Sequence, residues 1–112
     1  MIKRPITAAM RLHVELALAA ARRDSALLDK LKAEATKISL TGAEIDAAER
    51  GGSFDVIIDS AVKFVLAESK KNELAITHAE TKLATLGLPL LADHLRSLLD
   101  ELRTAPRKHD LR

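Results

Sequence analysis

Apolar residues recur along the chain at the three- and four-residue spacing of an amphipathic helix. This spacing predicts a first helix from Thr7 to Arg22 that is apolar on most of its circumference, with many alanines between the larger side chains. A helix that is apolar all round is buried. We therefore expect the first helix at the centre of the fold or in a subunit interface.

A second helix is predicted after Asp24 and Ser25, two residue types that favour helix N-termini. It runs to about Ile38 and has one apolar face opposite a charged face. The apolar face contains Leu27, Leu28, Leu31, Ala35 and Ile38. We expect this face in the core and the other in water.

Two local motifs around Thr41 predict the start of a third helix. The Thr41 hydroxyl can accept a hydrogen bond from the Glu44 N–H, and the Glu44 carboxylate can accept one from the Thr41 N–H, which together form a capping box. Leu40 and Ile45 occupy the two positions of a hydrophobic staple. These motifs predict a helix that begins at Gly42.

The end of the third helix is predicted near Arg50, because Gly51 and Gly52 can adopt the left-handed backbone that ends a helix. The apolar run after this corner predicts a long buried helix from Phe54 to Lys70. Its β-branched residues also suit a strand, but the run is too long for one and its charged residues keep a helical spacing.

Residues 76–80 then repeat the pattern of residues 40–44, and Gly87 repeats Gly51 at the same offset. Either a duplicated unit of one short and one long helix, or the general preference of helix starts for Thr-x-x-Glu, accounts for this repeat. Both explanations predict the same local structure, a capped short helix followed by a longer one.

The repeat predicts a short helix from about His78 to Leu86, ending at Gly87. Pro89 is predicted as the first residue of the last helix. One apolar face of that helix contains Leu91, Leu95, Leu98 and Leu102. Thr104 and the proline two residues later are expected to end it.

These elements predict an all-α fold, a compact bundle of about six helices. The chain has 112 residues, which is the size of one domain. We expect a single helical domain over residues 7–104, with a flexible arm at 1–6 and a flexible basic tail at 105–112.

The composition excludes several kinds of site and chemistry. The chain has no cysteine, so it has no disulfide, no zinc–thiolate site and no thiol redox chemistry. No apolar run approaches the roughly 20 residues that span a bilayer, and the first residues do not resemble a signal peptide. We expect a cytoplasmic protein without a membrane partner.

The net charge is +2, and the sequence pI is about 9.1. Only Phe54 and Phe64 are aromatic, so few side chains can stack on bases, which argues against nucleic-acid binding. Charges of both signs alternate along the helices, whereas an excess of basic residues lies near the two ends. These terminal residues are Lys3, Arg4, Arg103, Arg107, Lys108 and Arg112.

The motifs of the middle and last parts of the chain resemble the alkylhydroperoxidase-D-like superfamily, which includes carboxymuconolactone decarboxylases. The matching residues are Leu40-Thr41-x-x-Glu44-Ile45, Arg50-Gly51, Ile76-Thr77-His78-Ala79-Glu80 and Leu86-Gly87-Leu88. The resemblance covers roughly residues 20–99. It implies that family's helical fold and a homo-oligomer, which fits the alanine-rich first helix, and we expect no cofactor.

The sequence departs from this family at its catalytic motif, Cys-x-x-Cys-x-x-x-His. The two cysteines would fall on Asp24 and Leu27, and the histidine would fall on Leu31. A thiol peroxidase needs a thiolate nucleophile, which none of these side chains provides. The resemblance therefore implies a relative without thiol peroxidase activity.

Acid–base chemistry remains possible through His13, Glu15 and His94, which are the candidate catalytic residues. No two histidines lie three or four residues apart, so the sequence predicts no metal site. The structural alternative for His13 is a partly buried side chain that bonds a neighbouring carboxylate. Asp24 with Ser25 is interpreted as a helix cap, and residues 50–53 as a helix–helix corner rather than a phosphate cradle.

Three functions are therefore open. The first is an oligomeric binding or structural protein, which includes a small-molecule ligand among its possible partners. The second is an enzyme that uses acid–base chemistry on a small acid or lactone, as the decarboxylase branch of the family implies. The third is a helical interaction module that binds an acidic partner through its basic ends.

Overall fold

The structure, a computed structural model, describes residues 6–104 and forms six α-helices in that range. They are α1 (Ala8–Ala21), α2 (Ser25–Lys37), α3 (Gly42–Glu49), α4 (Val56–Lys70), α5 (Glu73–Thr85) and α6 (Leu91–Thr104). No residue of this range lies in a strand. The predicted all-α bundle is confirmed.

The core consists of two clusters of buried side chains that share α1. One cluster joins α1 to α4, α5 and α6, with Phe64, Leu83 and Leu95 fully buried in it. The other joins α1 to α2 and α3 and contains Leu16 and Leu31. The central position expected for the first helix is confirmed, and its buried alanines are covered by helices of the same chain.

The first five helices end in the same hydrogen-bonded motif. After α3, the Gly52 N–H donates to the Ala47 carbonyl and the Gly51 N–H donates to the Ala48 carbonyl, each at 2.9 Å, which is a Schellman motif. The motif requires one residue with a positive φ after each helix. These residues are Arg23, Ser39, Gly51, Lys71 and Gly87.

Two polar residues each close one helix and open the next. The Asp24 N–H donates to the last turn of α1, while its carboxylate accepts from the Leu27 N–H of α2 at 3.1 Å. Asn72 does the same between α4 and α5, with its side chain accepting from the Ala75 N–H at 3.1 Å. The interpretation of Asp24 as a cap is confirmed. The two-residue connection at Asn72 makes α4 and α5 an αα-hairpin.

The capping box at Thr41 is confirmed in both directions. The Thr41 N–H donates to Glu44 Oε1 at 2.8 Å, and the Glu44 N–H donates to the Thr41 hydroxyl at 3.1 Å. Leu40 and Ile45 pack against the same core cluster, beside α1 and α2.

The second copy of this motif does not form. α5 begins at Glu73 rather than His78, because Asn72 caps it one turn earlier than the predicted Thr77. Thr77 therefore lies inside the helix, and its carbonyl accepts from the Thr81 hydroxyl at 3.0 Å. The predicted end at Gly87 is confirmed, so the repeat holds at the helix end and fails at the start.

Two helix starts and one predicted core residue also differ from the predictions. Pro89 lies in a turn, and α6 begins two residues later at Leu91. α4 begins at Val56, because the Asp55 carboxylate accepts from the next N–H groups and so acts as the cap. Ile38 is exposed rather than in the core.

Most of the predicted arm and all of the predicted tail lie outside the described residues. Ile6, the last residue of the predicted arm, is described and packs against the larger core cluster. An apolar side chain next to α1 thus finds a place on the core, and the flexibility of the arm stays a prediction.

Candidate functional site

His13 is buried in α1, with 2% of its surface exposed. Its Nδ1 donates to the Ala9 carbonyl oxygen of the same helix at 2.8 Å. The predicted hydrogen bond to a carboxylate is absent from the part of the chain that the structure describes. His13 therefore has a partner in its own helix and little access to solvent.

Glu15 lies two residues further along α1, where successive side chains point in different directions. Its Oε2 is 3.6 Å from Arg11 Nε, and Arg11 Nη2 is 3.3 Å from Glu101 Oε2 on α6. Burial raises the pKa of Glu15, and nearby Glu34 and Glu101 add to the rise, while Arg11 opposes it. The carboxylate is thus an electrostatically costly group that belongs to a surface ion-pair cluster.

His94 lines an open cleft of about 400 Å³ between the start of α1 and the middle of α6. Arg11, Ser97 and Glu101 line the same cleft. His94 Nδ1 donates to the Leu90 carbonyl oxygen at 2.9 Å, so this ring nitrogen is also occupied within its own helix.

The three candidate catalytic residues are therefore not assembled into one site. Arg11 connects Glu15 to the cleft that contains His94, whereas His13 bonds inside α1. General acid–base catalysis needs an acid and a base within hydrogen-bond reach of the reacting atoms. Within residues 6–104 neither histidine bonds a carboxylate, and the catalytic role of the three residues stays a prediction.

A larger depression lies between α4 and α5, and we call it the α4–α5 groove. Its volume is about 720 Å³. Ala75 and Ala79 lie one turn apart on α5 and line it, and their small side chains leave space beside α4. Leu74 stands at its edge with 82% of its surface exposed. The groove extends from Asn72 to Lys82, which is about 15 Å along a helix axis.

Ser60 lines this groove from the α4 side. It is 4% exposed, and its hydroxyl makes no hydrogen bond with any other part of residues 6–104. The residue as a whole is buried, but its Oγ still reaches the solvent of the groove, since the one fully buried side-chain polar atom without a hydrogen bond in residues 6–104 is Glu49 Oε2. Ser60 is thus a polar group that a bound molecule could satisfy.

The charged side chains of the groove differ in how far they are already paired. The Asp59 carboxylate accepts from Lys63 Nζ at 2.6 Å and from the Ser53 N–H at 3.0 Å. Lys82 lies on the opposite wall and forms no ion pair with any described residue. With Asp59 and Lys63 cancelling, the groove has one unbalanced positive charge.

This groove was not predicted, although the sequence contains a signal for one of its walls. Ser60 lies three residues after Ile57 and four before Phe64, and this spacing places a hydroxyl on the apolar face of the helix. The second wall could not be found in the same way, since it depends on α5 beginning at Glu73.

Fold and groove together define a small all-α bundle with an open, partly apolar binding groove. A scan against family models finds no matching family, and searches of curated proteins and of solved structures find no match either. None of the six helices has the length and apolar character to cross a membrane. No set of three metal-ligating side chains comes together within residues 6–104.

Proposed function

We propose that this protein is a non-enzymatic binding protein whose small-molecule ligand lies in the α4–α5 groove. The observation that carries the proposal is the Ser60 hydroxyl, which belongs to a largely buried residue, lines the groove and makes no hydrogen bond within the described chain. Small-molecule sites combine an apolar lining with a few placed polar groups. The groove has this composition, because the Ser60 hydroxyl faces the same space as Ala75 and Ala79.

The exposed apolar surface of the groove supports the same proposal. Leu74 is 82% exposed at the groove edge, and a ligand in the groove would remove part of this surface from water. Burial of apolar surface contributes about 25 cal/mol per Å². Contact with Leu74 and with the alanines of the groove therefore contributes favourable binding free energy to a small apolar molecule.

A binding function agrees with the resemblance to the alkylhydroperoxidase-D-like superfamily. Replacement of the motif cysteines by Asp24 and Leu27 would leave a helical scaffold that binds small molecules without reducing peroxides. The family relationship, the homo-oligomer and the cytoplasmic location stay predictions, as do the acid–base and acidic-partner alternatives. A light-scattering mass tests the homo-oligomer directly.

A tryptophan placed at the groove tests the proposal, because the natural sequence contains no tryptophan or tyrosine. We expect the emission of a Leu74→Trp variant to change saturably with at least one of three probes that share an eight-carbon chain: 1-octanol, octanoate and octylammonium. The matched control is Leu90→Trp, since Leu90 is also largely exposed but does not line the groove.

The control separates binding in the groove from nonspecific binding to apolar surface. Equal responses at the two tryptophans would contradict the proposal, as would the absence of any saturable response with all three probes. Circular dichroism of both variants verifies that each one keeps its helices.

A further inference from the structure

We propose that the α4–α5 groove selects a monocarboxylic acid with an apolar body. The carboxylate meets the Ser60 hydroxyl and the Lys82 ammonium, and the apolar body lies along Leu74 and the alanines of α5. This inference rests on the proposed function and adds to it the chemical class of the ligand.

The charges of the groove favour an anion. Asp59 is already engaged by Lys63 and by the Ser53 N–H, so its charge is largely satisfied within the protein. Lys82 has no carboxylate partner among the described residues. One unbalanced cation suits one negative charge, and a ligand with an ammonium group would meet Lys82 with the wrong sign.

The hydroxyl of Ser60 favours a carboxylate over other groups. A serine O–H can donate to a carboxylate oxygen, and charge-assisted hydrogen bonds of this kind are roughly twice as strong as neutral ones. Ser60 is 4% exposed, so this bond would form to a largely buried residue at the wall of the groove. The donor on α4 and the cation on α5 line the same groove.

The lining of the groove favours an apolar body on this acid. Leu74, Ala75 and Ala79 offer carbon surface along α5. A larger polar ligand would leave its own groups unpaired against these side chains, which is unfavourable. An aliphatic or aromatic acid with one charged end matches the groove along its length.

Amide NMR titration of the natural sequence tests the inference with the same three probes. We expect octanoate to shift the amide signals of Ser60, Lys63 and Ala75 and to bind at least about fivefold more tightly than 1-octanol, with octylammonium weakest. Raising the salt concentration should weaken octanoate binding and leave 1-octanol unchanged, because salt screens the Lys82 charge.

Two variants assign the carboxylate contacts. Ser60→Ala should weaken octanoate binding by about tenfold, which is the size of a hydrogen bond to a charged group. Lys82→Gln should weaken it by about threefold, as expected for an exposed ion pair. Lys70→Gln is the control, since Lys70 lies on α4 but does not line the groove, and it should leave the affinity unchanged.

The stability of the free protein separates a ligand contact from a structural role for Ser60. Since the Ser60 hydroxyl makes no hydrogen bond with the described residues, Ser60→Ala should leave the unfolding midpoint unchanged or raise it while octanoate binding falls. A lowered midpoint together with unchanged octanoate affinity would overturn the assignment of Ser60.

The possible outcomes distinguish the two proposals. Tighter binding of 1-octanol or octylammonium than of octanoate would overturn the carboxylate inference and leave the binding function standing. If none of the three probes shifts the groove amides, both the binding function and the carboxylate inference are overturned. Shifts of the same amides with protein concentration alone would identify the occupant as a second copy of the chain, and would also overturn both.

Discussion

The guanidinium of Arg96 lies over the buried ring of Phe64, with 5.0 Å from its central carbon to the ring centroid. The same group donates to Glu68 Oε2 on α4 at 2.6 Å and to Glu80 Oε2 on α5 at 2.5 Å. The hydrogen bonds that Arg96 donates to Glu80 and Glu68 raise the pKa of Arg96 above its already high ordinary value. One α6 side chain thus joins three of the four helices of the larger core cluster, α4, α5 and α6.

Replacement of Arg96 should loosen the contact of α6 with α4 and α5. We expect Arg96→Ala to lower the free energy of unfolding by about 1–2 kcal/mol, a moderate value because the arginine is partly exposed. Arg96→Lys should recover only part of the loss, because lysine has no planar fork. Urea unfolding measures both, and Arg103→Ala at the exposed end of α6 should change stability by less than about 0.5 kcal/mol.

A side chain at Gly52 is expected to lower the free energy of unfolding. A Cβ at this position would lie 2.9 Å from Asp59 Oδ1, an atom that Lys63 and the Ser53 N–H hold in place. Gly52→Ala should therefore cost about 1 kcal/mol in chemical denaturation. The cost should largely disappear when Asp59 is also replaced by alanine, and persistence of the full cost in that double variant would show that the contact is not its cause.

Gly42→Ala is the matched glycine control for that experiment. A Cβ on Gly42 meets nothing within 4 Å, and the residue lies in the first turn of α3. Alanine has the higher helix propensity and restricts the unfolded chain, so we expect a gain of about 0.4–1 kcal/mol in the same denaturation experiment. A loss of stability would mean that the first turn of α3 needs glycine for another reason.

The left-handed residues at the helix ends allow stability to be changed in both directions. Lys71 has φ +56° in the motif that ends α4, a conformation that favours glycine. We expect Lys71→Gly to raise the free energy of unfolding by about 0.5–1 kcal/mol. Gly87 has φ +84° and open space around it, so Gly87→Ala should lower it by about 1 kcal/mol through the backbone alone. Equal midpoints for the two variants would contradict this account.

The fold was predictable where short-range chemistry decides it. The capping box at Thr41 and the glycine end at Gly51 need only neighbouring residues, and both form as predicted. The start of α5 was not predictable in this way, since Asn72 and Thr77 are both acceptable caps. Asn72 follows directly on the closing motif of α4, and a tight hairpin results. The choice between the two caps thus depends on how the hairpin packs.

The candidate sites were harder to predict than the fold, because they depend on which helices pack against each other. His13 and Glu15 are near each other in sequence, but one bonds inside its own helix and the other joins an ion-pair cluster with α6. The groove residues Ser60 and Lys82 are distant in sequence and share a surface because α4 and α5 form a hairpin. Periodicity places a side chain on a face of its helix, but it does not identify the helix opposite.

The raised pKa of Glu15 gives stability a defined dependence on pH. Burial is the main cause, with Glu34 and Glu101 adding to it and Arg11 opposing it. A carboxyl whose pKa is higher in the folded state binds protons more readily there, so its ionisation above the ordinary value of 4.5 favours unfolding. Glu15→Gln removes this ionisation and should stabilise the protein at pH 7.

The difference in stability between Glu15→Gln and the natural sequence should shrink toward zero as the pH falls below that ordinary value, where the carboxyl is protonated in both states. Thermal unfolding of both proteins between pH 4 and pH 7 measures it, and the comparison cancels the titration of all other groups. Asp29→Asn, on the exposed face of α2, is the control for removal of one carboxylate charge elsewhere on the surface. If the contact with Arg11 outweighed burial, Glu15→Gln would instead destabilise the protein at pH 7.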